Sequence, residues 1–326
     1  MPFQTSLSPH QQMTYLENMN DNSKQKVLFL REENADGHGT FVYSKRSKYE
    51  GHWKDGQRDG LGVHTLSDRS KYIGQHKNGL RHGKGTEVLP NGEKYSGNWK
   101  EGIRDGKGIY TWPSGSKYVG EFKNWDLNGR GAFTYPEGEE YVGEWKNGEK
   151  HGKGIMTEVD GEKYEGQWIK DKRHGKGIHD DGAGRTYDGQ WKNGEKNGDG
   201  VLTIADLGHY EGQWKDGDQH GEGSLIFEHG YKITGEWRQG SPLKGTASWP
   251  NGKSYSGEFK DWEWHGQGKF STSSGQNILG EFRNSEQWDT IEYDSNGVIV
   301  GEVVKGVQTI ENSSQIIPKL EVDTPN

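Results

Sequence analysis

The chain contains no cysteine, so neither a disulfide framework nor thiol chemistry is open to it. Apolar residues make up only 28% of its 326 residues, and no apolar run approaches the roughly 20 residues of a membrane-spanning helix. The first residues, Met1 to Asn22, lack the apolar stretch of a signal peptide. A soluble, intracellular, cytoplasmic protein is expected. Net charge is −8 and the pI lies near 5.9, so the whole chain has no electrostatic case for nucleic acid. A mean hydropathy of −1.13 leans towards disorder. The 13 Trp, 15 Tyr and 52 Gly point the other way, because disordered chains are poor in aromatics. Such a chain is expected to bury rings in many small clusters rather than in one central core.

What is present is a period. Tyr-x-Gly-x-aromatic begins at Tyr49, Tyr72, Tyr95, Tyr118, Tyr141, Tyr164, Tyr187 and Tyr210, each 23 residues after the last, and continues at Ile233, Tyr255 and Ile278. The fifth position is Trp or Phe except at His76. A Gly-x-Gly pair recurs further along the units, from Gly60 and Gly62 through Gly106 and Gly108 to Gly266 and Gly268, with Lys244 breaking the first glycine once. Stepping back one period places a degenerate unit near Lys26, with Val27-Leu28-Phe29-Leu30 as its first strand. Ile299-Val300-Gly301-Glu302-Val303 reads as a closing half-unit. Terminal repeats are expected to be atypical because they cap the stack.

Tyr95, Gly97 and Trp99 alternate with Lys94, Ser96, Asn98 and Lys100, the period-two pattern of a half-buried strand. Turn residues Glu101-Gly102 and Pro113-Ser114-Gly115 bracket a second strand. Each unit is therefore a β-hairpin. Glycine weakens a strand interior. Its place between two same-face aromatics predicts a ring from a neighbouring strand laid on bare backbone. With strands about 4.8 Å apart, each unit advances roughly 9–10 Å, and about twelve units give a twisted ribbon on the order of 110 Å long. The expected fold is all-β: a single-layer antiparallel sheet of tandem hairpins over 26–305. A polar segment at 1–25, a candidate short helix, precedes it, and a flexible tail at 306–326 is expected to follow.

Tyr141-Val142-Gly143-Glu144-Trp145 with His151-Gly152-Lys153-Gly154, and Tyr164-Glu165-Gly166-Gln167-Trp168 with His174-Gly175-Lys176-Gly177, resemble the MORN (membrane occupation and recognition nexus) repeat. The resemblance covers about residues 26 to 305. It implies an elongated sheet of antiparallel hairpins and a non-catalytic scaffold or adaptor in a cytoskeletal, ciliary or membrane-peripheral assembly. Some relatives carry a catalytic domain, for which this sequence leaves no room. Regulation of an enzyme by a non-catalytic subunit stays open as an alternative.

No cofactor, metal or small-molecule substrate is expected. His82, His151, His174, His220 and His265 occupy a position filled elsewhere by Asp59, Asp105, Asn128 and Asn197, which favours a structural turn role. Neighbouring units also lie too far apart for one ion with bonds of about 2.0 Å. Gly-x-Gly without a following helix or Gly-Lys-Ser/Thr is not a nucleotide loop.

A cation follows the fifth-position aromatic at Lys54, Lys77, Lys100, Lys123, Lys146, Lys192, Lys215, Arg238, Lys260 and Arg283, interrupted at Ile169. This ladder is a candidate contact for anionic phospholipid or an acidic protein. Glu121, Glu144, Glu236, Glu258 and Glu281 share its face and favour a self-compensated, solvated surface. Trp125 and Trp262 replace a turn glycine, and Trp264 stands two residues on. All three are candidate partner anchors, against packing on the neighbouring turn. Open sheet edges make a homodimer a further candidate assembly.

Overall fold

The computed structural model describes residues 36–310. The expectations for 1–25, for Val27–Leu30 and for the tail from 311 lie outside the described residues. Among those described there are 25 strands and no helix. In each repeat a strand such as Lys94–Lys100 carries the tyrosine, and the next, such as Ile103–Thr111, carries the Gly-x-Gly pair. Both central residues of the joining turn have positive φ, 50° at Glu101 and 85° at Gly102. That is a type I′ turn, whose twist matches the strands it connects. The return turn is closed by Trp112 N donating to Ser116 O at 3.0 Å and Gly115 N to Trp112 O at 3.0 Å.

The strands fall into two compact units, one ending at Gly152 and one starting at Lys153. In the first unit every strand from Gly37–Ser44 to Glu140–Lys146 pairs antiparallel with its successor. The second unit repeats this from Lys163–Ile169 to Val307–Ile310. Its last pair, Val304 with Val307, carries strand pairing beyond residue 305, where the array was expected to end.

The Gly-x-Gly pair is a bulge. Gly97 faces Gly108, but Trp99 faces Arg104, so the Gly-x-Gly strand carries two extra residues there. Gly106, the first glycine of the pair, takes φ 99° to absorb them. The histidines expected in turns stand instead inside strands, one residue ahead of this glycine. From there the side chain reaches the following repeat's turn: His174 Nδ1 accepts from Asn193 N at 3.5 Å, and Asp59 Oδ2 from Asn78 N at 3.4 Å.

The core is the inner face of the sheet. Tyr95 meets Trp99 edge-on at 5.2 Å and Phe122 of the next repeat at 5.0 Å. In the second unit Tyr187 stands likewise between Trp191 at 5.1 Å and Trp214 at 5.2 Å. Each such pair is worth about 0.5–1.5 kcal/mol beyond its buried area. The Tyr95 hydroxyl donates to Asn98 O at 2.8 Å, and the Trp99 indole donates to Gly85 O at 3.2 Å. The ring does lie on glycine, but it is the strand's own tyrosine rather than a neighbour's. It covers Gly97 two residues on and reaches across to Gly108. A Cβ at Gly97 would stand 2.5 Å from Gly108 Cα, and one at Gly108 2.5 Å from the Tyr95 ring. No side chain fits there.

Candidate interaction surface

On the inner face a second series of cations stands five residues after the fifth-position aromatic: Arg58, Arg81, Arg104, Lys150, Arg173 and Lys196. Arg81 sits 5.1 Å from the Tyr72 ring and 4.9 Å from Trp99. Lys196 sits 5.1 Å from Tyr187 and 4.8 Å from Trp214. These are cation–π contacts made where water is largely excluded, the setting in which they are strongest. Glu87 joins Arg81 at 2.6 Å and Arg104 at 2.8 Å. The sequence reading missed this series because its members resemble turn residues. Their 23-residue recurrence was the available signal.

Burial pushes the Tyr95 and Tyr164 hydroxyls up to about 12, which keeps them donors to backbone. Burial, helped by Arg58, holds His64 and His76 down at about 4. Burial, and then Arg185, lowers Lys196. A cleft of about 660 Å³ opens beside Lys196 in the second unit, over Leu202, Leu225 and Phe227. Among the described residues no three His, Cys, Asp or Glu side chains converge as metal ligands would. The polar groups of the inner face hold the ladder together.

The outer face is different. All ten cations of the ladder from Lys54 to Arg283 are exposed there. Only Arg283 is ion-paired with a described residue, Glu281 at 2.7 Å. Charge compensation by direct pairing is therefore confined to one end of the ladder.

The three tryptophans separate. Trp264 is fully buried, stacked on Tyr255 at 4.6 Å in the place that Arg or Lys takes elsewhere, so it is no surface anchor. Trp262 is half-buried, with its ring 5.5 Å from Trp237. Trp125 remains 44% exposed, although its ring meets Trp99 at 5.8 Å and Arg104 at 5.0 Å. Its φ of 79° is a strained choice for a bulky residue.

Cross-strand register draws one more feature on the outer face of the first unit. Val63, Ile73, Thr86, Ser96, Ile109, Val119, Ala132 and Val142 are successive partners across adjacent strands. They form a row perpendicular to the chain direction. Ile73, Ile109, Val119 and Val142 are between 41% and 48% exposed. The Thr86 and Ser96 hydroxyls, 3.0 Å apart, satisfy each other. On one side run Lys48, Lys71, Lys94 and Lys117, aligned through Thr65, Val88 and Thr111. On the other stand Lys84, Lys107 and Arg130, opposite Asn98, Glu121 and Glu144. An open groove of about 1280 Å³ follows the row from Lys48 to Arg130.

Among solved structures, similarity is found to the TCP domain of Drosophila melanogaster SAS-4 (dCPAP) in complex with a proline-rich motif of Ana2 (dSTIL). Identity is 14%, coverage 61% of this chain and 88% of that chain, and the TM-score 0.26. The TCP10 domain of Danio rerio CPAP in complex with a STIL peptide is 12% identical, covers 76% of this chain and 95% of that one, and has a TM-score of 0.23. At these scores the likeness bears on neither partner nor site. No curated protein matches the sequence. The profile of the MORN repeat matches residues 49–71, 72–94, 95–117, 118–140, 141–163, 164–182, 187–208, 210–230 and 255–276. Those nine matches coincide with the hairpins built on Tyr49 to Tyr210 and on Tyr255, and they span more than half of the sequence: the chain belongs to the MORN-repeat family.

Proposed function

We propose that this protein is a non-catalytic scaffold or adaptor that binds protein partners along its repeat surface in a cytoskeletal, ciliary or membrane-peripheral assembly. One observation carries the reading. The inner face uses its polar groups to hold rings and turns, while every repeat presents exposed outer-face side chains at fixed strand spacing. Many weak contacts on such a surface add through avidity.

Affinity isolation of the full chain from its source cells, followed by cross-linking, tests this. Cross-links from a recurrent protein to outer-face lysines such as Lys54, Lys77 and Lys100 are expected. Recovery of no protein partner, or cross-links confined to the turns of the inner face, overturns it. A second reading, attachment to anionic phospholipid, is favoured by the unpaired ladder cations. It requires sedimentation with phosphatidylserine vesicles that is lost as salt rises beyond roughly physiological strength.

A further inference from the structure

We propose that the outer groove of the first unit is a docking channel for an acidic protein segment that presents apolar side chains along one edge. The inference rests on the scaffold reading and assigns it a place and a partner chemistry. The floor is the row Val63, Ile73, Ile109 and Val119, interrupted only by the mutually bonded Thr86 and Ser96. Exposed apolar side chains aligned on a single row are unusual on a chain that is 28% apolar.

The walls set the charge. Lys71 on one side, and Lys84, Lys107 and Arg130 on the other, line the groove and have no ion pair with any described residue, while Lys48 at its end is paired with Glu50 at 3.9 Å; Lys94 and Lys117 continue the row of Lys71 outside the lining. A protein of net charge −8 thus carries a local positive channel, which complements carboxylates. Eight strands at about 4.8 Å spacing make the groove roughly 34 Å long, the reach of about ten extended residues. Its recess favours a chain over a membrane. A flat bilayer surface cannot follow the floor, and Glu50 and Glu121, which also line it, repel phosphates but can be matched by a peptide.

The test pans a phage library of random 12-residue peptides against the full chain. Enriched sequences combining Asp or Glu with Leu, Ile, Val or Phe are expected. Synthetic copies should bind about tenfold more weakly to Lys84→Glu/Lys107→Glu, a wall-charge change. Loss of about fivefold or more is expected for Ile73→Thr/Val119→Thr, which keeps β-branched residues in the strands. Lys176→Glu/Val201→Thr in the second unit should leave binding unchanged, and matching thermal melts establish that all variants fold. Enriched peptides that ignore the groove variants but respond to the second-unit pair sink the channel and leave the scaffold reading standing. Failure to enrich any peptide also sinks the channel. If affinity isolation then yields no protein partner, both readings fall. Phosphatidylserine vesicles bound through the same lysines, with no peptide enriched, would assign the face to a membrane instead.

Discussion

On the outer face, the residue between the ladder tyrosine or isoleucine and glycine is Glu50, Ile73, Ser96, Val119 or Val142 in the first unit, and Glu165, Asp188, Glu211, Thr234, Ser256 or Leu279 in the second, so four successive apolar or small hydroxyl positions in one unit stand against three successive carboxylates in the other. One row over, the run Lys84, Lys107 and Arg130 is followed in the second unit by Lys153 and Lys176, then Asp199 and Glu222, then Lys244 and Gln267, so the continuous positive run is broken there. The inner faces barely differ. Tyr72, Tyr95 and Tyr118 are as fully enclosed as Tyr164, Tyr187 and Tyr210, and ring spacings stay near 5 Å in both units. Folding therefore constrains one face, through rings that can only lie on glycine. The opposite face is left free to differ, and a partner can be encoded there without disturbing the hairpin.

The largest expected effect tests the sameness of the ladder. Tyr95→Ala and Tyr210→Ala each remove a ring held between two others, together with its hydroxyl bond to backbone. A loss of about 3–5 kcal/mol is expected for each, and the two should agree. Urea unfolding checks this, and losses differing by more than about 2 kcal/mol would break the equivalence of the two inner faces.

Next comes a place in the first unit where its ladder departs from the rings of the second. His76 stands where the second unit has only Trp or Phe, and both its ring nitrogens are buried without a partner. Its value near 4 in the fold, against about 6.5 when unfolded, means the unfolded chain binds the extra proton between those values. The stability linked to this group is therefore complete above pH 6.5 and lost as pH falls towards 4, up to about 3 kcal/mol. The half-buried His64 acts in the same direction. In the second unit, Glu162 is held below the usual carboxylate value chiefly by its hydrogen bond with His179. At pH 5, hydrogen exchange should rise around Tyr49 to Tyr95 before it rises around Tyr187 to Trp237. His76→Phe should abolish the difference. Equal loss of protection in both units would remove the histidine from the account.

The two turn tryptophans offer a smaller contrast. At Trp125, strained backbone works against ring contact with Trp99 and the Arg104 guanidinium. At Trp262, with φ 68°, the contact is with Trp237. Relief of strain, about 1–3 kcal/mol, nearly offsets the lost ring contacts. Trp125→Gly and Trp262→Gly should each move stability by no more than about 1 kcal/mol in calorimetry. A loss beyond roughly 2 kcal/mol at Trp125 would show that the ring is held for packing.

These contrasts also show what could be read before any coordinates. Tyr-x-Gly-x-aromatic at 23 residues was enough to set the strands, the hairpins and the buried face, because period-two alternation and an unfilled glycine site leave little choice. The register was not legible. The bulge at Gly106 and its equivalents insert two residues in the Gly-x-Gly strand, so counting along the sequence does not reveal that Ile73 faces Val63 on one side and Thr86 on the other. The apolar row is split over eight strands and appears in no single window. Trp264 misled for a related reason. It lies two residues after the turn tryptophan Trp262, yet on the strand Glu263–Ser271 it takes the inner position of Arg81 and Arg104.

The smallest expected effect bears most directly on the difference between the faces. Glu165→Ile, Asp188→Ile and Glu211→Val would join Ile178 and Val201 into an apolar row in the second unit, through the same cross-strand pairings used in the first. All three carboxylates are exposed. The pair Lys163–Glu165, at 3.1 Å, is a surface pair of little net worth, and each of the four new contacts, on a solvated face, adds about 0.2 kcal/mol, the low end for cross-strand pairs. Thermal unfolding should therefore move by less than about 1 kcal/mol in total, with the inner ladder unchanged. A loss of several kcal/mol would show that the outer row takes part in specifying the hairpin stack, so that its divergence between the units reflects folding rather than freedom to bind.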